Sequence, residues 1–438
     1  GIDDVDEGAP RLVDDDLLAV LNASDAELSF RMPRLEAVDG PWQLVIDTAD
    51  DRTEERLLPG EATILAPRSL KFFESPSRVL RSGGAVHTLT STYRLQLRST
   101  PRFAEATRLL PYLSELGVTD VYVSPILAAV PGSTHGYDVV DHARLNPELG
   151  GEEGFFAFSA ALRERQMGLL VDWVPNHMGI GSDKNRQFDD MLENGASSLH
   201  ADYFDVDWRP VKPALHDKIL LPILGESYGD VLERGELRVV FEEGAFALRY
   251  YDHRLPIGPK TLIPLLERVI ARSQDEAAPG RVELESIVSA LRHMPSRHVT
   301  HPELRRERAR EKEVVKRRLS ALVEQDERVA EALRDALAET NGTPGTPASF
   351  DLLDQLLREQ AYRLAWWRVA TEEINYRRFF DINELAAIRM ESPAVFEQTH
   401  ALLLQLLKQG PSTRSGSTTP TASTIRSPTS RRCSDASG

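Results

Sequence analysis

The alternation of strand and helix patterns between residues 89 and 174 constrains the fold of this chain more than any other sequence feature. Apolar segments typical of buried strands lie at 93–97, 118–123 and 168–174. Amphipathic helices are predicted between them at 103–116 and 152–166. Parallel strands are usually joined by such helical crossovers. The repeated units therefore predict an α/β fold with a parallel sheet or barrel.

The rest of the chain divides into further segments. Residues 1–74 show short apolar runs separated by Pro, Gly and Asp turns, which predict a small all-β module. Residues 75–88 are rich in Ser, Pro, Arg and Gly and predict a linker or fusion seam. The first three βα units are expected at 89–180, followed by a large, mainly helical insertion at 181–378 and by its end and a barrel helix at 379–410. A basic stretch at 305–312 has interleaved Glu residues, and we expect it to form a solvated helix face.

Residues 411–438 cannot form the buried strand that should follow the last helix. That helix is predicted to open at Ser392-Pro393 and to close at Gly410. The segment beyond it is rich in Ser and Thr and contains almost no apolar residue. We therefore expect a disordered tail. A genuine tail with phosphorylation sites is one interpretation, and a shifted reading frame is the other.

Composition excludes several classes of function. With 438 residues, of which 41% are hydrophobic and 27% charged, most of the chain is typical of globular protein. The net charge of −16 argues against nucleic acid as a partner. No run of 18 apolar residues suggests a membrane span, and the acidic start at residues 1–7 does not resemble a signal peptide. The single cysteine, Cys433, leaves no disulfide or structural zinc site, so we expect a cytoplasmic protein without metal or cofactor.

Polar and aromatic side chains follow the second and third predicted strands. In a barrel, residues at the carboxyl ends of the strands face the ligand. A Tyr beside His and Asp suits a sugar, because the apolar face of the ring can lie on the phenol while the hydroxyls meet polar groups. The alternative is that His135 caps a loop and Asp172 holds a turn. The candidate substrate-binding residues are His135, Tyr137, Asp138, Asp172, Asn176 and His177.

Several motifs together resemble maltooligosyltrehalose synthase, a family of the α-amylase superfamily, over about residues 89–410. They are YRLQL at 93–97, YVSPIL at 122–127, GSTHGYD at 132–138, NPELGG at 146–151, VDWVPNHM at 171–178 and INYRRFFDINEL at 374–385. One departure is Arg98, where the family pattern has a His. The resemblance implies an incomplete (β/α)8 TIM barrel of the α-amylase type. It also implies that Tyr137 stacks on the sugar, that His177 bonds its hydroxyls, and that Asp172 and Asn176 organise the loop.

The resemblance implies an isomerase, a (1->4)-α-D-glucan 1-α-D-glucosylmutase. Such an enzyme exchanges the reducing-end α-1,4 bond of a maltooligosaccharide for an α,α-1,1 bond, in trehalose synthesis from glycogen. Superfamily members use an Asp nucleophile and a Glu acid/base. The expected strand-four motif, of the type Leu-Arg-Ile-Asp-His, does not occur in the 438 residues. We therefore expect no catalytic residue in this chain and no activity as written; a non-catalytic glucan-binding protein is the alternative.

Two further observations concern the ends of the chain. Ordinary codons can be chosen for residues 411–426 that read, one frame over, Val-Asp-Ala-Leu-Arg-Ile-Asp-His-Pro-Asp-Gly-Leu-Tyr-Asp-Pro, which supplies the missing motif. Residues 17–74, with LNA at 21–23, WQLVIDTA at 42–49 and PRSL at 67–70, resemble the C-terminal β domain of an isoamylase-type glycogen debranching enzyme. The resemblance does not extend to its catalytic residues. The sequence therefore predicts the end of one glucan-processing enzyme joined to the beginning of another.

Overall fold

A computed structural model describes residues 16–22, 24–33, 41–50, 55–75, 90–242, 244–273 and 275–409. The chain divides into two compact units, Gly1–Ala85 and Val86–Gly438. The tail predicted at 411–438 lies outside the described residues, as do residues 76–88 of the predicted linker.

The described residues of the first unit form short antiparallel strands. They are β1 (Asp16–Asn22), β2 (Leu28–Arg31), β3 (Trp42–Asp47), β4 (Arg56–Leu57), β5 (Ala62–Leu65) and β6 (Ser69–Ser75). One sheet has the order β1-β6-β3-β4, and β2 pairs with β5. Trp42 and Phe73 from the first sheet and Leu65 from the second are buried in one small core. Residues alternate in and out along β6, as expected for a sheet with one covered face.

The second unit begins with strand–helix units. Its first elements are β7 (Thr92–Leu95), α1 (Phe103–Glu115), β8 (Asp120–Val123), β9 (Leu127–Ala129), β10 (Val139–Leu145), α2 (Gly151–Glu164) and β11 (Gly168–Val171). Strands β7, β8 and β11 form a parallel sheet in the order β11-β8-β7, as the alternation predicts. The antiparallel pair β9–β10 is joined by a loop at 130–138. This loop and the ends of the parallel strands carry the candidate residues.

Helices α1 and α2 pack against each other through aromatic side chains. The ring of Phe103 lies 5.8 Å from the rings of both Phe155 and Phe158. Phe103 and Phe158 are completely buried, and truncating such a side chain to Ala costs about 3–5 kcal/mol. Their packing holds α1 and α2 together, and α2 also contacts β11.

The insertion contains both helices and strands. The elements that follow β11 are, in order, β12 (His177–Gly179), α3 (Arg186–Asn194), β13 (Ile219–Leu224), α4 (Tyr228–Glu233), β14 (Arg238–Glu242), β15 (Ala245–Tyr250), β16 (His253–Pro256), α5 (Ile263–Arg272), α6 (Pro279–His293), α7 (Pro302–Gln325), α8 (Glu327–Thr340), α9 (Asp351–Arg358), β17 (Tyr362–Trp366), α10 (Ala370–Glu373), β18 (Arg378–Phe379), β19 (Ile382–Ala387) and α11 (Pro393–Gln409). Those from α3 to α10 lie within the predicted insertion. The expectation of a mainly helical insertion missed strands such as β13, which pairs in parallel with the distant β17. Composition carries no signal for such non-local pairing.

The expectation of a solvated face at 305–312 is wrong for two residues on α7. Arg308 and Lys312 are buried, with 2% and 6% of their surfaces exposed. Lys312 donates to Asp190 (2.6 Å) and to Glu193 (2.7 Å), both on α3. The partner acids lie more than a hundred positions away in sequence, so the helix pattern of α7 alone could not show this burial. Among the described helices, none is both long and apolar enough to cross a membrane.

Candidate functional site

The centre of the candidate site is the buried carboxylate of Asp172, directly after β11. Its backbone NH donates to the carbonyl of Val123 (3.1 Å), which continues the parallel ladder by one residue. Oδ2 of Asp172 accepts hydrogen bonds from the hydroxyls of Tyr137 (2.6 Å) and Tyr122 (2.9 Å), and Nη1 of Arg94 lies 3.3 Å away. The carboxylate is 2% exposed. It therefore joins the ends of all three parallel strands to the β9–β10 loop.

Strand register places Arg94 and Tyr122 beside each other. They are Cα partners in the β7–β8 pair, and the guanidinium lies 4.4 Å from the centre of the Tyr122 ring. Nη2 of Arg94 also donates to the Tyr137 hydroxyl (2.9 Å). Neighbouring side chains on one face of a sheet interact in this way because residues repeat every second position. Arg94 thus supplies the positive charge that faces the buried carboxylate.

The hydrogen-bond network shifts the pKa values of its members. Burial raises the pKa of Tyr137, and the hydrogen bond to Asp172 raises it further against the opposing charge of Arg94. Burial alone would lower the pKa of Arg94, but its interactions with Tyr137, Tyr122 and Asp172 produce a net rise. Tyr137 is therefore a neutral phenol and Arg94 a cation throughout the physiological range. The phenol donates one hydrogen bond and accepts another, which fixes the plane of its ring.

The β9–β10 loop presents His135 and Asp138 next to Tyr137. The rings of His135 and Tyr137 are stacked with centres 6.0 Å apart, and Nδ1 of His135 accepts from the backbone NH of Tyr137 (3.1 Å). Asp138 accepts from the hydroxyl of Ser133 (2.6 Å), and its Oδ1 lies 3.8 Å from Nδ1 of His135. Gly136 has a φ of +79°, and a Cβ there would lie 3.0 Å from the carbonyl oxygen of Pro125. Glycine is therefore the residue that lets this loop turn so tightly.

Asn176 and His177 form a second group, beneath the loop. Oδ1 of Asn176 and Nδ1 of His177 are 2.9 Å apart, and the backbone carbonyl of Asn176 accepts from Ile388 (2.9 Å). The His177 ring stacks on Phe379, with centres 3.8 Å apart, and only 1% of the residue is exposed. Burial lowers the pKa of His177 to about 4 against a smaller opposing effect of the Tyr137 backbone. His177 is therefore a neutral, covered ring, held between the loop and the returning strand β18.

The structure brings Tyr137 and Asp172 into direct contact, with His135 and Asp138 beside them, and places the half-buried Asn176 and the buried His177 in an adjacent layer. Arg94 and Tyr122 were not among the candidates from the sequence. Their signal was available, because Tyr122 stands between the buried Val121 and Val123 and Arg94 precedes the buried Leu95. Phe379 could not have been placed, since β18 reaches this region through β19, the antiparallel partner of β12.

Within the part of the chain that the structure describes, no group of three or more His, Cys, Asp or Glu side chains could hold a metal ion. The carboxylate of Asp172 is instead bonded to two phenols and a guanidinium, which satisfies a buried anion without a cation from solution.

Comparison with known proteins shows what this chain is similar to. Residues 106–231 match the catalytic domain of α-amylase. A putative maltooligosyl trehalose synthase of Mycobacterium tuberculosis is 45% identical over 327 residues, which cover 73% of this chain and 29% of that protein. Over these residues the chain is a homologue of maltooligosyl trehalose synthases. The resemblance seen in the sequence motifs is thereby confirmed, and the α-amylase catalytic domain implies a fold of the TIM-barrel type.

More distant relatives of this synthase homologue are also glucan enzymes by name. An intracellular maltogenic amylase of Bacillus subtilis is 35% identical over 109 residues, which cover 25% of this chain and 18% of that protein. The structure of maltooligosyltrehalose synthase from Arthrobacter ramosus is 31% identical, covers 73% of this chain and 30% of that one, and has a TM-score of 0.49. This chain thus spans less than a third of the length of the relatives that it matches.

Proposed function

We propose that the Tyr137–Asp172 site binds an α-1,4-glucan, such as a maltooligosaccharide, as part of a synthase-type intramolecular transglucosylation. The observation that supports this most directly is the fixed phenol of Tyr137 at the carboxyl ends of three parallel strands. An aromatic ring held in one plane offers the apolar face of a pyranose a preformed surface. The exposed His135 and the half-buried Asp138 beside it offer polar atoms to the sugar hydroxyls.

The proposed reaction replaces the reducing-end α-1,4 bond of a maltooligosaccharide with an α,α-1,1 bond. In the retaining scheme of the superfamily, a nucleophile forms a glycosyl-enzyme while an acid protonates the leaving oxygen. The released glucose then attacks the glycosyl-enzyme through its anomeric hydroxyl, and the acid, now a base, takes the proton. Water must be kept from the intermediate during this exchange. Tyr137, Asp172 and Arg94 serve binding and positioning, and none of them acts as the nucleophile.

Asn176 and His177 support the loop in this proposal. Their mutual hydrogen bond and the stacking of His177 on Phe379 fix the layer below Tyr137. Hydrogen bonding of His177 to sugar hydroxyls stays a prediction, because Phe379 covers the ring in this structure. The Phe379 side chain would have to move before His177 could contact a sugar.

We further propose that the 438-residue chain binds glucan without converting it. Its sequence has no motif of the Leu-Arg-Ile-Asp-His type, so the nucleophile and the acid of the reaction are not assigned to any residue here. The first candidate is therefore a truncated or misread form of a synthase. The second candidate is a protein whose own function is glucan binding, and the presence of the binding groups without a nucleophile favours it. A debranching-enzyme origin of the first unit, a cytoplasmic location and a frame shift before residue 411 remain parts of the proposal.

Titration of the purified chain with maltopentaose, followed by calorimetry, tests the binding proposal. We expect saturable binding that Tyr137→Ala abolishes and that Tyr112→Ala, at an exposed position of α1, leaves unchanged. Equal binding by both variants would contradict the assignment of the site. Sequencing the DNA across the codons for Gly410 and Pro411 tests the frame shift: a single intact frame that encodes the same tail would remove that explanation.

A further inference from the structure

A cavity lies entirely within the insertion and is lined by none of the residues of the Tyr137–Asp172 site. It has a volume of about 310 Å³ and is lined by residues of α3, α5, α7 and α9 and of the segment 296–298. A cavity of this volume is at the small end of the range for small-molecule sites. Its walls combine apolar side chains, including Leu265 and Leu356, with an excess of cationic groups.

Two cations of the lining, Arg308 and Lys260, donate hydrogen bonds to neutral groups within the described residues, and a third, Arg297, has a buried nitrogen without a partner there. Arg308 donates from Nε to Oδ1 of Asn194 (3.1 Å) and from Nη1 to the carbonyl of Pro295 (2.6 Å). Lys260 donates to the carbonyls of Arg292 (3.0 Å) and Met294 (2.8 Å). Nη1 of Arg297 is buried and forms no hydrogen bond within the described residues.

Most of the remaining charged groups of the lining are paired with other residues. Glu193 is bound by two lysines outside the lining, Lys312 (2.7 Å) and Lys316 (2.6 Å). Arg268 is paired with Glu339 (2.8 Å). His298 lies 3.3 Å from Asp217. Glu359 is the acid left to face the cations, and it is exposed to solvent. Outside these ion pairs, the lining therefore holds three cations and the exposed carboxylate of Glu359.

The pKa shifts of the cavity cations agree with an excess of positive charge in the lining. Burial lowers the pKa of Arg308 to about 10, and the positive charge of Arg297 contributes to the decrease. Burial also lowers the pKa of Lys260, with a further contribution from Arg308. Arg308 and Arg297 thus repel each other, as do Arg308 and Lys260, and this repulsion is opposed by the attraction of Arg308 to Glu193 and of Arg297 to Glu359. Unpaired buried charges destabilise a fold, and an anion held between them would offset that cost.

We propose that this cavity binds a small organic anion whose phosphate or carboxylate group lies between Arg297, Arg308 and Lys260. Guanidinium groups suit both anions because their N–H donors match two oxygens at once. The carbon skeleton of the ligand would lie against Leu265 and Leu356, and the amide of Gln355 would form a hydrogen bond with a hydroxyl group of the ligand. The site is separate from the glucan site, so a ligand here could be bound whether or not maltopentaose binds at Tyr137.

Calorimetric titration of the full chain at constant ionic strength tests this proposal with three probes: inorganic phosphate, glucose 6-phosphate and citrate. We expect saturable binding of at least one probe and an affinity at least about tenfold lower in Arg297→Gln, since hydrogen bonds to charged groups contribute at this level. Arg317→Gln, at an exposed position of α7, is the matched control and should bind like the unmodified chain. Binding of both phosphate probes without citrate would identify a phosphate ligand, and the reverse would identify a carboxylate.

A second variant covers the case in which Arg297→Gln does not fold. Gln355 lies on the exposed side of α9 and lines the cavity, so Gln355→Glu should fold and should weaken anion binding by adding a negative charge. No saturable binding of any probe to the unmodified chain would overturn the proposal. Equal affinities in the unmodified chain and in the folded cavity variants would overturn it as well.

Discussion

The hydroxyl oxygen of Tyr137 lies 2.6 Å from Oδ2 of Asp172, and this short contact ties the β9–β10 loop to the end of β11. The same carboxylate oxygen accepts from Tyr122, which stands on the neighbouring strand β8. A buried carboxylate needs such donors, because an unsatisfied charge in the interior is strongly destabilising. The geometry of the proposed glucan site and the stability of the sheet edge therefore depend on the same hydrogen bonds.

Replacing Tyr137 by Phe should lower the free energy of unfolding by about 1–3 kcal/mol. The ring remains, but the buried carboxylate of Asp172 loses a donor, and the cost of an unsatisfied group of this kind falls in that range. Urea denaturation at pH 7 measures the change. Tyr112→Phe is the matched control, because Tyr112 is 61% exposed and its loss of a hydroxyl should change stability by less than about 0.5 kcal/mol. Equal effects of the two variants would contradict the role of the contact.

Purified 438-residue chain should form no trehalose-capped product from maltopentaose. Removing the nucleophile from a covalent mechanism lowers the rate by several orders of magnitude, and here neither nucleophile nor acid is assigned. Product analysis by chromatography, with a full-length synthase as the positive control, measures this. A version of the gene with the reading frame restored before residue 411 and the downstream coding sequence added should form the product. Turnover by the unmodified chain would refute the proposal of inactivity.

The sheet could be predicted because its signals are local. The three parallel strands follow from apolar runs and from the helices between them, and the same pattern predicts that Tyr137 and Asp172 lie at one edge. Their actual contact depends on the tight turn at Gly136, which sequence spacing does not determine. Arg94 could have been added to the candidate residues, because it precedes the buried Leu95 and occupies a polar position in the alternating pattern of the strand.

Other features depend on partners that are distant in sequence. His177 is buried because β12 pairs with β19, which brings Phe379 onto the ring. Arg308 and Lys312 appeared to be surface residues of α7 because their neighbours in sequence include Glu residues at helical spacing. Their burial depends on α3, more than a hundred positions earlier, and a periodic pattern contains no information about that contact.

Replacing Lys312 by Met should lower the free energy of unfolding at pH 7 by about 3–5 kcal/mol, because Asp190 and Glu193 would keep their charges in the interior without this cation. Burial alone would raise the pKa of Asp190, but the charge and hydrogen bond of Lys312 outweigh it and lower the pKa. In the variant that pKa should rise, so the deficit should shrink as pH falls and the carboxylates are protonated. Urea denaturation between pH 5 and 8 measures both effects.

The control for this change is Lys184→Met, since Lys184 pairs with Asp183 at the surface, with 56% of its side chain exposed. Surface pairs contribute about 0–1 kcal/mol, so the control should be almost neutral. A deficit in Lys312→Met no larger than that of the control would show that the buried ion pairs do not stabilise α3 against α7.

Replacing Asp189 by Asn should stabilise the protein more at pH 8 than at pH 5. Burial raises the pKa of Asp189 to about 7, and the negative charge of Asp183 adds to the shift. Between its ordinary value near 4 and pH 7, the folded state keeps a proton that the unfolded chain has released, so the stability of the unmodified protein falls as pH rises. The variant has no carboxyl group that titrates at this position. The difference in free energy of unfolding between the variant and the unmodified protein should therefore grow by about 1–3 kcal/mol across that window and then stay constant. Thermal unfolding at several pH values measures the difference; Asp252→Asn, at an exposed position, should show none of it.

Replacing Leu170 by Lys should weaken self-association of the chain. Strand β11 pairs with β8 along one edge, and within the described residues no strand pairs with its other edge. An apolar edge with free backbone groups is a template for pairing with another copy, and a charged side chain opposes such pairing. Sedimentation velocity over a range of concentrations should give an apparent dissociation constant about tenfold higher for the variant, equivalent to about 1.4 kcal/mol. Leu116→Lys, at a 58% exposed position after α1, should associate like the unmodified chain. An unmodified chain that stays monomeric at every concentration would show that the edge of β11 is not a site of association.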